Sequence, residues 1–243
     1  MKIYCLLVLL FITASCAPSL PALPPAPAEV VIQHTPALRI IQTSIQECSL
    51  QNAPFPVLVN EYSFDRLNPQ IADISISYVD PIDPSLPAFQ VAMDELVVIV
   101  HPLNNTPGIA FTELQGILQG FITEWVLINP SFKQNGSSPI AVYAYPAKDE
   151  LMQVIKTRLN TGKGLLSKAI IVDTPQSIVE NIAADPNGIA VIPRSYLADT
   201  VREISLDDLD DGLTLIPIIA QTRSEPTESQ AIMIYCLQEL VKK

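Results

Sequence analysis

The sequence predicts an α/β protein with largely parallel strand pairing, and three observations carry that prediction. Runs of strand length, apolar or alternating, recur along the body of the chain, separated by segments whose apolar residues fall at helical spacing. Glu95–Val100 is an almost unbroken apolar run, the pattern of a strand covered on both faces. Thr35-Pro36 and Thr174-Pro175 mark helix starts, since Thr caps and Pro fits the first turn. Strands and helices in alternation fold as a sheet with helices packed on its faces.

Taken in order, Glu29–Gln33 is a short apolar strand, and Pro36 opens a helix whose Leu38, Ile41, Ile45 and Cys48 share one face. Phe55–Tyr62 is a second strand, and the alternating Ala72–Tyr78 a third. A proline-rich loop over Asp80–Pro87 leads to the fourth, Glu95–Val100. Thr112–Gly120 reads as a short helix stopped by its glycine, and Ser138–Tyr145 as a strand. Lys148–Leu159 is an amphipathic helix with Leu151, Ile155 and Leu159 in register. Ala169–Val172 is a strand, Pro175–Ala184 a helix and Gly188–Pro193 a strand, followed by a short helical turn near Tyr196. Val201–Leu206 and Leu215–Gln221 are strands around the acidic turn Asp207–Gly212, and Pro226–Leu240 is the last helix.

Ahead of this body, Lys2 and the apolar run Ile3–Ile12 lead to Thr13-Ala14-Ser15-Cys16. The run is too short for a permanent membrane span and has the form of a secretion signal. It resembles the bacterial lipoprotein signal, although Thr13 stands where that signal has an aliphatic residue. The resemblance implies that residues 1–15 are removed and that Cys16 is acylated, anchoring the protein outside the cytoplasm to the bacterial cell membrane. An ordinary cleaved signal with Cys16 incidental is the other reading. Ala17–Ala28, with Pro18, Pro21, Pro24, Pro25 and Pro27, favours an extended polyproline geometry. At roughly 3 Å per residue it is a stiff spacer of about 30 to 40 Å between lipid and body.

Of the 243 residues, 49% are hydrophobic and 16% charged, so residues 29–243 can bury a sizeable core as one bilobed domain or two small ones. Fourteen basic residues against 25 acidic ones, a net charge of -11, argue against nucleic acid as a partner, which would need a basic face. A small anion is not excluded by net charge, because a local field can differ from it. Membrane contact is expected through the lipid anchor only, as no later segment has the length of a span. Cys5 leaves with the signal and Cys16 takes the lipid, which leaves Cys48 and Cys236 in an oxidising setting. A disulfide between them is the expectation, two buried free thiols the alternative.

The stretch Asp94–Tyr196 carries a family resemblance. Its apolar strand Glu95–Val100 runs into His101-Pro102-Leu103-Asn104; then comes Phe111–Trp125, with Leu114, Ile117, Gly120, Ile122 and Trp125, and later Ser177–Pro193, with Asp185-Pro186-Asn187-Gly188-Ile189. Order and spacing are similar to the phosphate-binding proteins of ABC importers. The resemblance implies a type 2 periplasmic-binding-protein fold, two lobes each a mainly parallel sheet flanked by helices. Lobe 1 would take about residues 30–95 and 206–243, lobe 2 about 96–205, with Cys48 and Cys236 in one lobe.

A cleft between lobes holds an anion with converging donors, which helix N-termini and hydroxyls provide. The resemblance points to three cleft segments, His34-Thr35-Pro36-Ala37, Ser77-Tyr78-Val79-Asp80 and Tyr145-Pro146-Ala147-Lys148, with Thr174–Ser177 as a further helix start. The ligand-binding candidates are Thr35, Ser77, Tyr78, Tyr145, Lys148 and Ser177. Capping or turn stabilisation is the competing role for the hydroxyls, and a solvated position beside Asp149 and Glu150 for Lys148. Tyr143 and Tyr145 share one strand face and with Tyr78 would line an aromatic cleft suited to an organic ligand, with core packing the competing role for Tyr143. Trp125 matches the family's structural tryptophan. The departures are instructive: the family's glycine-containing oxyanion turns are replaced by His34-Thr35-Pro36 and Tyr145-Pro146-Ala147, and each proline removes an N–H donor.

Catalysis has little support. His34 and His101 are the two histidines, both beside turns, and there is no Gly-x-Ser-x-Gly elbow. Asp207–Asp211 lacks the ligand periodicity of a calcium loop, and no metal or cofactor is expected. Asn104-Asn105-Thr106 and Asn135-Gly136-Ser137 match glycosylation sequons that a bacterial lipoprotein would not normally use. Together the two resemblances imply a lipid-anchored extracytoplasmic solute-binding protein that is not an enzyme, closing two lobes on a small molecule or oxyanion and partnered with an ABC permease. The alternative is an interaction or sensory lipoprotein on the same fold without a ligand.

Overall fold

The computed structural model describes residues 29–52, 55–78, 82–132, 139–159, 168–208 and 212–240. The expected signal, Cys16, the spacer and the Asn135 sequon lie outside them.

β1 (Val30–His34), β2 (Val57–Glu61) and β3 (Ile74–Ser77) pair in parallel, β1 in the middle. A single 3-10 turn, Pro36–Leu38, follows β1 before α1 (Ile41–Asn52) begins. The expected face holds across that break: Leu38, Ile41, Ile45 and Cys48 are all buried. β4 (Ala88–Val100) is much longer than its apolar signal, because its first half alternates between exposed and covered positions and shows no apolar run.

β4 joins the two lobes. From Ala88 to Glu95 it runs antiparallel to β10 (Leu215–Thr222), which in turn lies antiparallel to β3. From Leu96 to Val100 it pairs instead with β8 (Gly188–Pro193), and Val98–Val100 also pair with β9 (Arg202–Asp207). Beyond β8 lie β6 (Ala141–Ala144) and β7 (Ile170–Ile171), in parallel. The path β2-β1-β3-β10-β4-β8-β6-β7 is one ten-stranded sheet, with β5 (Gly108–Ala110) and β9 attached at the side. Every antiparallel pairing among the described strands involves β4 or β10, so away from the crossing strands each lobe is parallel, as expected.

Three-residue β5 gave no sequence signal. It fits beside β9 because Gly108 has no side chain to collide with Ser205 Oγ. α2 (Phe111–Leu118) starts with Glu113 accepting from the Ala110 N–H at 2.8 Å and ends at Gly120, whose φ of 80° suits a helix stop. Trp125 is fully buried, stacks edge-on against Phe132 and donates its indole N–H to Asn187 O at 3.0 Å, tying two of the resemblance segments together. α3 (Glu150–Arg158) and α4 (Pro175–Ala184) are capped by Asp149 and Thr174.

α5 (Glu228–Leu240) packs on α1, and the two are joined by the Cys48–Cys236 disulfide, Cα to Cα 5.8 Å across 188 residues of sequence. A bridge closing so long a loop constrains the unfolded chain strongly. The core runs continuously through both lobes, with Ile32, Ile74 and Ile76 fully buried in one and Ile99, Ile189 and Ile192 in the other. Each such side chain contributes roughly 1.5 to 3 kcal/mol. Among the described residues no helix is long and apolar enough to cross a membrane.

Candidate functional site

The carboxyl ends of neighbouring parallel strands are where an open α/β sheet presents its loops to a ligand. β1 and β3 are such neighbours, His34 opposite Ile76, so Thr35 and Ser77-Tyr78 emerge side by side from the first lobe. Facing them, β6 of the second lobe leads through Tyr145–Lys148 into the start of α3. Three of the expected segments are thereby brought to one place.

Thr35 occupies the capping position before the 3-10 turn, in extended conformation, yet its side chain makes no capping bond. Its buried hydroxyl donates instead to Glu150 Oε2, at the first turn of α3 in the opposite lobe. The other carboxylate oxygen, Glu150 Oε1, accepts the backbone N–H of Tyr78. Glu150 is fully buried. One carboxylate thus spans the two donors that the first lobe offers. Further contacts cross between the lobes nearby: the Tyr196 hydroxyl donates to Ala37 O at 3.0 Å, and the Ser195 hydroxyl donates at 2.7 Å to Asp94 Oδ2, which also accepts from Tyr78 of its own lobe at 2.8 Å.

Beside this dry contact lies a cavity of about 240 Å³. Its first-lobe wall is Pro36, Ser63, Phe64 and Asp65; its second-lobe wall is Pro146, Lys148, Asp149 and Asp173. Three acidic residues and one lysine thus border the cavity, of which Asp65, Lys148 and Asp173 are exposed. The Asp149 carboxyl is pushed up to about 6, first by burial and further by the charge of Asp173, against the pull of the backbone N–H groups that it caps. His34, behind Thr35, is held below its usual value, chiefly by burial. Its Nδ1 lies 2.7 Å from Thr35 O and its Nε2 3.0 Å from Gln42 Nε2, the pattern of a neutral ring donating to the carbonyl and accepting from the amide.

The other expected site residues are placed as follows. Ser77 is buried at the end of β3, and Lys148 is exposed on the cavity wall. Tyr145 is buried, its hydroxyl without a hydrogen-bond partner among the described residues and its pKa raised well above the usual value, first by burial and then by Asp149. Ser177 belongs to the cap of α4, where its N–H donates to Thr174 Oγ1 and its Oγ accepts from the Thr174 hydroxyl at 3.0 Å. Tyr143 donates to Asp185 Oδ2 at 3.0 Å, and burial first, then that carboxylate, pushes its pKa up to about 12.

Glu150, Asp149, Asp65, Phe64 and Asp173 were not singled out by the sequence. The available signal was positional: Glu150 stands at the second-lobe helix start where the resembled family has its oxyanion turn. Among the described residues no cluster of His, Cys, Asp and Glu is arranged to hold a metal.

No family model matches this sequence, and no curated protein matches it. Solved structures do. A putative phosphate ABC transporter substrate-binding protein with bound phosphate from Clostridium perfringens is similar over 86% of this chain and 93% of its own, at 18% identity and a TM-score of 0.76. An ABC-type phosphate transport receptor from Vibrio cholerae is similar over 87% and 94%, at 18% identity and a TM-score of 0.66. A sulfate-bound mutant OxyR2 regulatory domain from Vibrio vulnificus follows at 12% identity, a TM-score of 0.63 and coverage of 88% and 96%. These likenesses establish the fold: a two-lobed type 2 periplasmic-binding-protein architecture, shared with phosphate-binding proteins.

Proposed function

We propose that this chain is an extracytoplasmic solute-binding protein, held to the cell membrane by lipid on Cys16, that takes a small amine-bearing solute and not inorganic phosphate between its lobes. The cavity beside Thr35 carries this reading, because both lobes wall it and its charges select the ligand. Asp65, Asp149 and Asp173 outnumber Lys148, and a cation placed among them favours the ionised form of Asp149, which burial and, to a smaller extent, the charge of Asp173 disfavour. A phosphate dianion meets the opposite field, and Pro36 and Pro146 withhold N–H donors at the two loops where it would need them. Phe64 offers an apolar face for the carbon skeleton of the solute. Recognition is by closure of the lobes, with no bond made or broken. An ABC permease is the partner that this architecture supports, and residues 17–28 give the body reach above the lipid.

A thermal-shift screen of amino acids, diamines and polyamines beside phosphate and sulfate tests it. A saturable shift with an amine and none with phosphate is expected; tight phosphate binding overturns the reading. Silence with every solute favours the second reading, an interaction or sensory lipoprotein, to which Glu150 bridging the lobes directly already lends support.

A further inference from the structure

We propose that Glu150 is a tethered ligand: its carboxylate occupies the oxyanion position of the cleft, closing the lobes on a part of the chain itself and barring free phosphate and sulfate. This goes beyond the amine reading, which concerns the cavity next to it and can fail on its own.

Three features converge on it. Thr35 Oγ1 and the Tyr78 N–H come from the carboxyl ends of two adjacent parallel strands, so the first lobe presents a pair of donors aimed at one point. A group that is acceptor-only and has two oxygens answers such a pair, which describes a carboxylate as well as it describes a phosphate. Glu150 meets each donor with a different oxygen and is fully buried in doing so. Burying a carboxylate is unfavourable unless hydrogen bonds replace its water, and the donor pair supplies two of them. The position at the first turn of α3, capped by Asp149, adds a favourable helix dipole from the second lobe. Neither donor is spent on local structure: Thr35 makes no capping bond, and the Tyr78 N–H lies just past the last residue of β3. The oxyanion chemistry of the fold is thus present and already satisfied from within.

Calorimetry on wild type, Glu150→Ala and Glu150→Gln with inorganic phosphate, sulfate and acetate tests this. The tethered ligand requires that wild type ignore all three, that Glu150→Ala bind phosphate or acetate at least about tenfold more tightly than wild type does, and that the isosteric Glu150→Gln, which still fills the position, bind neither. Should Glu150→Ala fail to fold alone, refolding it in phosphate or acetate must recover folded protein. A folded Glu150→Ala that binds none of the anions overturns the proposal, as does an unfolded one that no anion rescues. Phosphate binding by wild type overturns it together with the amine reading, whereas a wild type indifferent to amines removes only the latter.

Discussion

Two neighbouring places at the lobe junction handle their carboxylates in opposite ways. At the dry contact, Glu150 is matched oxygen for donor by Thr35 and Tyr78, and the lobes are bound together through it. At the cavity, Asp149 is left reluctant to ionise, first by burial and then by the charge of the exposed Asp173, although it caps backbone N–H groups at the start of α3. The matched carboxylate is a structural closure; the mismatched one is an unmet demand. Net charge of -11 says nothing about this difference, which depends on what stands opposite each oxygen.

The largest effect should come from breaking the matched site. Thr35→Val keeps the shape and removes one donor from a buried carboxylate, and is expected to lower unfolding stability by about 2 to 3 kcal/mol. Urea denaturation measures it; a loss below about 0.5 kcal/mol would mean that Glu150 does not depend on Thr35.

The mismatched site should respond in the other direction. The folded-state pKa of Asp149, about 6, lies above its ordinary 3.8, so its contribution to stability is complete below about pH 4 and is lost as pH rises through 6. Asn also caps a helix, so Asp149→Asn should match wild type near pH 3.5 and exceed it by about 1 to 2 kcal/mol above pH 7. His34 works against this trend. Its lowered pKa gives stability that is present above 6.5 and fades as pH falls, and the difference between the two proteins at each pH removes that shared part. A difference that is flat with pH would contradict the raised pKa of Asp149.

Smaller effects sharpen the comparison. Tyr196→Phe removes the hydroxyl that donates across the lobes to Ala37 O and should cost about 1 kcal/mol in the same denaturation. Ser63→Ala, on the cavity wall, removes only an exposed hydrogen bond to Asp65 Oδ1 at 2.6 Å and should leave the urea midpoint nearly unchanged.

What was legible in the sequence follows the range of the forces involved. Thr174-Pro175 fixed the start of α4, where cap and first turn are local, and Gly188–Pro193 stood out as β8 because a strand covered on both faces is apolar throughout. Cys48 and Cys236 were paired by compartment chemistry alone. The first half of β4 was hidden, since a half-covered strand carrying Gln90 and Asp94 after a proline-rich loop has no distinct pattern. Glu150 was hidden more deeply. By local rules, a Glu in the first turn of a helix is a favourable and solvated charge. Only the docking of a second lobe carrying two donors from β1 and β3 turns that position into a buried one, and no spacing within the chain encodes that approach.

The Tyr78 amide reports the central claim most directly. Hydrogen exchange at that N–H, followed by NMR, should be strongly protected in wild type, fast in Glu150→Ala, and protected again when phosphate or acetate is added to the variant. Equal exchange in wild type and variant, with no response to either anion, would show that the carboxylate is not what the Tyr78 amide holds.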